Sequence, residues 1–247
     1  MMKKLFVLTI ILCFSFIINA QKEITDSKAT EIWSPVPVIV TPGEGSAPPS
    51  DAIILLGADN DLSMWEAEKG GEVKWDFKDG VLTVKPKTGL IKTRNYFADC
   101  QLHVEWRTPA EVKGDGQGRG NSGVFLMGNY EVQVLDSYDN RTYSNGQAGS
   151  IYKQHIPLAN VCRPPGVWQS YDIIWKAPVF NEDGSLKSPG YITVLQNGVL
   201  VQNHVEIKGT TDFIGIQKYK THPNRLPLTL QDHGNPVSYR NIWIREL

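Results

Sequence analysis

The chain has 247 residues, 41% of them hydrophobic and 21% charged, and 25 Lys plus Arg face 26 Asp plus Glu for a formal net charge of −1. That length buries a sizeable core, and so even a charge balance argues against a nucleic-acid or anionic-membrane partner.

Met1 to Ala20 places Lys3 and Lys4 before an apolar run from Leu5 to Ile18, with Ala20 at a cleavage point before Gln21. This is the pattern of a signal peptide, too short and wrongly flanked for a membrane span. Cys13 follows Leu12 rather than a small residue, so no lipid or membrane anchor is expected. The mature protein is expected to be soluble and exported, periplasmic or extracellular, and slightly more acidic once the two lysines are gone. Residues 21–50 carry Pro35, Pro37, Pro42, Pro48 and Pro49 with Gly43 and Gly45, and read as a linker or extended arm whose Ile32-Trp33 and Val38-Ile39-Val40 clusters suit docking. The folded domain is expected over residues 51–247.

Within it, short alternating runs separated by turn signals read as strands: Val73 to Phe77, Val81 to Lys85 and Asp99 to Arg107. In the last of these, Cys100, Leu102, Val104 and Trp106 form the apolar face. Cys100 is therefore expected to be buried and unpaired with Cys162, although an exported protein permits that bridge. The opposite face holds Gln101, His103, Glu105 and Arg107, with His103 read as an exposed strand residue.

The stretch from Gly118 to Tyr138 reads as a β-hairpin: Val124 to Met127, a turn at Gly128-Asn129, then Tyr130 to Val134. Alternation sets Val132 and Val134 on one face and Glu131 and Gln133 on the other, about 7 Å apart. Asp136, five residues beyond Glu131, falls on the opposite parity unless a bulge turns it over. Further strands are expected at Trp168 to Lys176, Tyr191 to Gln196, Val199 to Lys208, Leu226 to Gln231 and Ser238 to Arg245, with a tight turn at Asn197-Gly198. No segment shows a sustained helical pattern. The succession predicts an all-β, two-sheet antiparallel sandwich of jelly-roll type, with long loops at Pro157 to Gly166, Pro178 to Gly190 and Lys218 to Pro227.

Solvated strand faces would explain any one polar set in such a sandwich. These faces, however, collect His, Gln, Asn, Arg and isolated carboxylates near Trp and Tyr, a mixture suited to a hydroxyl-rich ligand. The opposing readings are equally physical. Asn121 and Ser122 suit a tight turn, His233 a turn between Asp232 and Gly234, and Arg240 a cross-strand ion pair; Trp168 and Tyr171 suit core or groove wall. Glu131-Val132-Gln133 does not supply the Glu, Asp, Glu alternation of a retaining glucanase, so the strand alone does not support direct displacement by two carboxyls.

Gly120-Asn121-Ser122-Gly123-Val124-Phe125, Tyr130-Glu131-Val132-Gln133-Val134-Leu135-Asp136, Pro165-Gly166-Val167-Trp168-Gln169-Ser170-Tyr171-Asp172 and Leu230-Gln231-Asp232-His233-Gly234-Asn235-Pro236-Val237, with Arg240-Asn241-Ile242, resemble the 3-keto-disaccharide hydrolase domain family over roughly Ala52 to Leu247. The resemblance implies a concanavalin A-like lectin/glucanase fold and cleavage of glycosides oxidised to a ketone at carbon 3. Such a ketone acidifies the carbon-2 hydrogen, so a base can drive elimination of the aglycone and water can add back. On that chemistry Glu131 or His233 is the base, Arg107 or Arg240 stabilises the enolate, and Asn121, Gln133, Gln231, Glu105 and Asp136 bind the carbohydrate. A divalent metal ion shared by Glu105, Glu131 and His233 is the alternative, and a non-catalytic carbohydrate-binding module is the competing function.

Overall fold

The structure, a computed structural model, describes residues 25–58 and 62–247, so the expected signal peptide lies outside the described residues. Two units are distinguished, residues 1–39 and 40–247. In the first, the described residues hold one 3-10 turn, Ser27–Thr30, whose cap Asp26 accepts a hydrogen bond from the Lys28 backbone N–H at 3.0 Å. Among the described residues no helix is long and apolar enough to cross a membrane.

The second unit is an all-β sandwich of antiparallel sheets. Among its described residues, one sheet has eight strands. They are β1 (Ile53–Leu56), β3 (Asp76–Lys78), β4 (Val81–Thr83), β6 (Cys100–Arg107), β9 (Gln169–Lys176), β12 (Tyr191–Gln196), β13 (Val199–Glu206) and β15 (Ser238–Glu246). The order is β13-β12-β9-β6-β15-β4-β3, with β1 also pairing β15. The other sheet has five strands, β2 (Trp65–Ala67), β5 (Ile91–Phe97), β14 (Leu226–Leu230), β7 (Ser122–Leu126) and β8 (Tyr130–Val134), in that order. A small hairpin of β10 (Val179–Phe180) and β11 (Leu186–Ser188) occupies part of the expected loop Pro178 to Gly190.

Alternation explains the layering. Leu102, Val104 and Trp106 of β6, Tyr171, Ile173 and Trp175 of β9, and Tyr239, Ile242 and Ile244 of β15 meet Val124, Leu126, Tyr130, Val132 and Val134 from the smaller sheet in one core. Burying each such side chain is worth roughly 1.5–3 kcal/mol. The buried Tyr171 hydroxyl crosses this core to donate to the Gln133 carbonyl at 2.6 Å, bracing β8 from beneath.

Cys100 is a buried free thiol, which burial pushes up to about 12, and Cys162 is free as well. The arm differs from its expected extent. Residues 40–50 belong to the compact unit and lie on the outward face of the large sheet, where the Ser46 carbonyl accepts from Trp243 Nε1 at 3.1 Å and Asn241 Nδ2 at 2.9 Å. Asn241, at φ 44°, marks a break in the β6–β15 register between Arg240 and Trp243, and this bulge aims its amide at Ser46.

Candidate active site

The hairpin of β7 and β8 sets Glu131 opposite Phe125 and Gln133 opposite Gly123. With Tyr130, Val132 and Val134 in the core, Glu131 and Gln133 point outward from the smaller sheet. They do not face bulk water, being 4% and 1% exposed. They line a cavity of about 250 Å³ together with the polar Asn121, Gln231 and His233 and the aromatic Phe125, Tyr152 and Phe213.

Loops close over the free edge of β8. Gln133 N–H donates to Ser150 and the Gly149 N–H to Gln133, both at 3.0 Å, while the Tyr152 N–H donates to the Glu131 carbonyl at 3.2 Å. The Glu131 N–H donates to Thr211 Oγ1 at 3.0 Å. Both backbone polar groups of Glu131 are therefore held by loop residues. Gly123 makes room for its carboxyl, because a Cβ there would stand 2.5 Å from Glu131 Oε1. Burial raises the Glu131 carboxyl from the ordinary range to about 8.

The amides around it are partly satisfied. Gln133 Nε2 donates to Asn121 Oδ1 at 3.2 Å, and Asn121 Nδ2 donates to the Gln117 carbonyl at 2.7 Å. Gln133 Oε1 and Gln231 Oε1 are buried without a hydrogen-bond partner among the described residues. Buried acceptors in that state suit the hydroxyls of a ligand. His233 is held by its neighbours: Asp232 accepts from the backbone N–H groups of Thr88 and Gly89 at 2.9 and 3.0 Å and of Gly234 at 2.9 Å. Next to it, Asn235 Oδ1 accepts from the Gly120 N–H at 2.6 Å, and Ser122 Oγ donates to the Gln231 carbonyl at 2.6 Å. The glycine-spaced turn and the terminal motif thus lock onto each other beside the cavity.

Four expected site residues lie elsewhere. Asp136 lies beyond the end of β8, pairs with Arg119 at 2.6 Å and lines a separate cavity. Arg119 also donates to the Tyr138 and Asp139 carbonyls, so that pair is closed on itself. Glu105, Arg107 and Arg240 belong to β6 and β15 of the large sheet and face outward from it. Arg107 and Arg240 place their guanidinium carbons 4.6 and 4.2 Å from the ring centre of Trp168, and Arg240 pairs with Glu105 at 2.6 Å.

Glu105 also accepts from Ser46 Oγ at 2.8 Å and Asn241 Nδ2 at 2.9 Å, and this set of bonds holds its carboxyl well below the usual range despite burial. His103, expected to be exposed, is buried against Trp243 at 5.2 Å between ring centres, with Nδ1 2.7 Å from Asp172 Oδ1. Its Nε2 lies 3.7 Å from Glu105, too far for a good hydrogen bond, so the coupling there is one of charge. Burial pushes the imidazole down, but the Asp172 bond and the two carboxylates outweigh it and raise it to about 9.

The shared metal set is not assembled either, since Glu105 is on the large sheet while Glu131 is on the smaller one and His233 lines the cavity beside Glu131. Among the described residues no group of three or more His, Cys, Asp or Glu is placed to hold a metal ion. The cavity's donors are one carboxyl, one imidazole, amide oxygens and the hydroxyls of Tyr152 and Thr211, which do not fit the carboxylate-rich cage of a hard divalent cation or a three-ligand zinc site. Tyr152, Thr211, Phe213 and Phe125 are cavity residues that the pattern did not single out. All but Phe125 come from loops without periodicity, and Phe125 looks like any strand aromatic.

A β-sandwich whose sheet face presents one desolvated carboxyl among unsatisfied amides and aromatic rings is of the carbohydrate-active class. The chain belongs to the family of the 3-keto-alpha-glucoside-1,2-lyase-like domain, whose model matches residues 53–245. Comparison with curated proteins finds no match. A crystal structure of a candidate glycosyl hydrolase from Parabacteroides distasonis ATCC 8503 is 53% identical, with a TM-score of 0.86 over 90% of this chain and 97% of that one. A second candidate glycosyl hydrolase of that organism, 20% identical with a TM-score of 0.56 over 79% of this chain and 94% of that one, shares the fold.

Proposed function

We propose that the protein cleaves glycosides carrying a ketone at carbon 3, by proton abstraction from carbon 2, elimination of the aglycone and hydration. The observation that carries this reading is Glu131: a single cavity carboxyl among the described residues, desolvated, facing unsatisfied amides and without a second carboxyl to complete a displacement pair. A base whose affinity for protons is raised by burial suits abstraction from carbon next to a carbonyl. Ionised Glu131 takes the carbon-2 proton, and the electron pair moves onto the ketone oxygen as an enolate. Collapse of the enolate breaks the bond from carbon 1 to the aglycone oxygen, which leaves with a proton. Water then adds at carbon 1, and a proton returns to carbon 2.

With Arg107 and Arg240 on the other sheet, the donors available to the enolate and leaving oxygens are His233 and the Tyr152 hydroxyl, itself 2.7 Å from the Tyr143 hydroxyl. Asn121, Gln133 and Gln231 read sugar hydroxyls. The same reading sends the enzyme out of the cytoplasm on the strength of Met1 to Ala20, and a mature N-terminus other than one near Gln21 would count against export.

Kinetics of the wild type and Glu131→Gln on matched keto and unoxidised glycosides test the mechanism. The variant is expected to lose on the order of a hundredfold or more in kcat on the keto substrate. Because the base must be ionised, wild-type kcat/KM is expected to rise about tenfold per pH unit up to about 8 and then level. Unoxidised glycosides should react poorly, and chelator should change nothing. Equal rates for the two proteins would remove Glu131 from the chemistry, and a wild type inert on every keto glycoside would favour a binding module.

A further inference from the structure

Phe213, which lines the Glu131 cavity, belongs to a loop with an apolar tip. The loop Gly209 to Lys218 closes on itself: the Thr210 N–H and Oγ1 donate to the Lys218 carbonyl at 3.1 and 2.7 Å, and Gln217 Nε2 donates to the Asp212 carbonyl at 3.2 Å. Its base is tied to β8 beside the catalytic candidate, since Thr211 accepts from the Glu131 N–H and donates its own to Asn129 at 2.8 Å. Lys153 donates to the Phe213 carbonyl and sets its ammonium 4.1 Å from the centre of the Phe213 ring. The loop is thus anchored from three directions.

Yet its tip, Phe213-Ile214-Gly215-Ile216, leaves Phe213 70%, Ile214 84% and Ile216 85% exposed. Three neighbouring large apolar side chains, held out on a braced loop, form a patch suited to covering something apolar. Phe213 joins the two regions, for it lines the cavity and belongs to the tip. Ile214 and Ile216 offer a carbohydrate neither a hydrogen bond nor a flat ring.

We propose that this tip is the aglycone subsite and that the substrates are glycosides whose leaving group is apolar, aromatic or aliphatic. The sugar occupies the amide side of the cavity and the leaving group passes under Phe213 to rest on Ile214 and Ile216. This inference rests on the glycoside-cleaving reading above.

The experiment measures equilibrium binding of phenyl and methyl 3-keto-glucoside to full-length protein in the Glu131→Gln background, where turnover is suppressed. Binding is compared with and without Phe213→Ser plus Ile214→Ser, and with Ile214→Ser plus Ile216→Ser, which retains the cavity-lining ring. The phenyl glycoside is expected to bind about tenfold or more tightly than the methyl one and both loop variants to erase that preference, while Ile214→Ser plus Ile216→Ser, which leaves the cavity lining intact, keeps methyl glycoside binding within about twofold. The substituted side chains are exposed, so unchanged thermal unfolding is the folding control. Equal affinity for the two glycosides, or a preference that survives both loop variants, overturns the aglycone assignment and leaves the keto-glycoside reading standing. Binding of neither glycoside overturns both. Association with phosphatidylcholine vesicles that both loop variants abolish, without any phenyl preference, would give the tip to a lipid surface and also overturn the proposal.

Discussion

Glu131, buried without a charged partner, keeps its proton to about 8, whereas in the unfolded chain the carboxyl releases it near 4.5. Between those values the native state binds more protons than the unfolded state, so stability falls as pH rises through that window. The full cost, on the order of 5 kcal/mol, is reached above pH 8. Glu131→Gln, which keeps the shape and removes the titration, is therefore expected to be more stable than the wild type at pH 8.5 and equal to it at pH 4. Urea unfolding at the two pH values measures this, and a gain of equal size at both would assign the effect to packing instead of charge. Glu131 and Gln133 could be read from the sequence as a polar pair on one parity, and Asp136 as falling on the other. Burial could not be read, because it depends on Gly149 to Tyr152 and Thr211 closing over β8 from distant loops.

The segment of residues 40–50 and the strands β6 and β15 form a second polar cluster, tied together by hydrogen bonds and an ion pair. Glu105 there is surrounded by Arg240, Asn241, Ser46 and the His103 ring. Its partner Arg240 is 42% exposed, so solvent screens that pair, and losing it together with the bonds from Ser46 and Asn241 costs about 1–3 kcal/mol. Glu105→Gln is expected to lose stability on that scale at pH 7, measured by denaturant unfolding, while kcat/KM of the folded enzyme stays within about twofold. A large fall in kcat without a loss of stability would return Glu105 to the chemistry.

The contribution of His103 is fully present below about 6.5 and is lost as pH rises through about 9, because its imidazole is raised in the folded state. Clean alternation in β6, β8, β9 and β12 made these strands legible. β5 was missed where Arg94-Asn95 breaks the pattern and its pairing with β14 shifts between Pro227 and Thr229. The short strands β1 and β2 carry too few residues to show a period.

At the scale of the whole molecule, parity identifies a strand's two faces but not the sheet to which the strand belongs. Gln101, His103, Glu105 and Arg107 were therefore indistinguishable in kind from Glu131 and Gln133, although the two sets point away from each other on opposite sides of the sandwich. The two-sheet architecture was legible; which of its polar faces forms the Glu131 cavity and which is fastened to residues 40–50 was not.

The position of β15 has a consequence for how the protein is made. It lies inside the large sheet, against β6 on one side and β1 and β4 on the other, and Arg245 reaches Asp51 at 2.5 Å. A ribosome must therefore synthesise residue 246 before β6 can be joined to β1 and β4 through this inner strand. Pairings this distant in sequence form late and slowly. A nascent chain would then stay open through nearly all of translation, in a form that a translocation channel for unfolded polypeptides can thread.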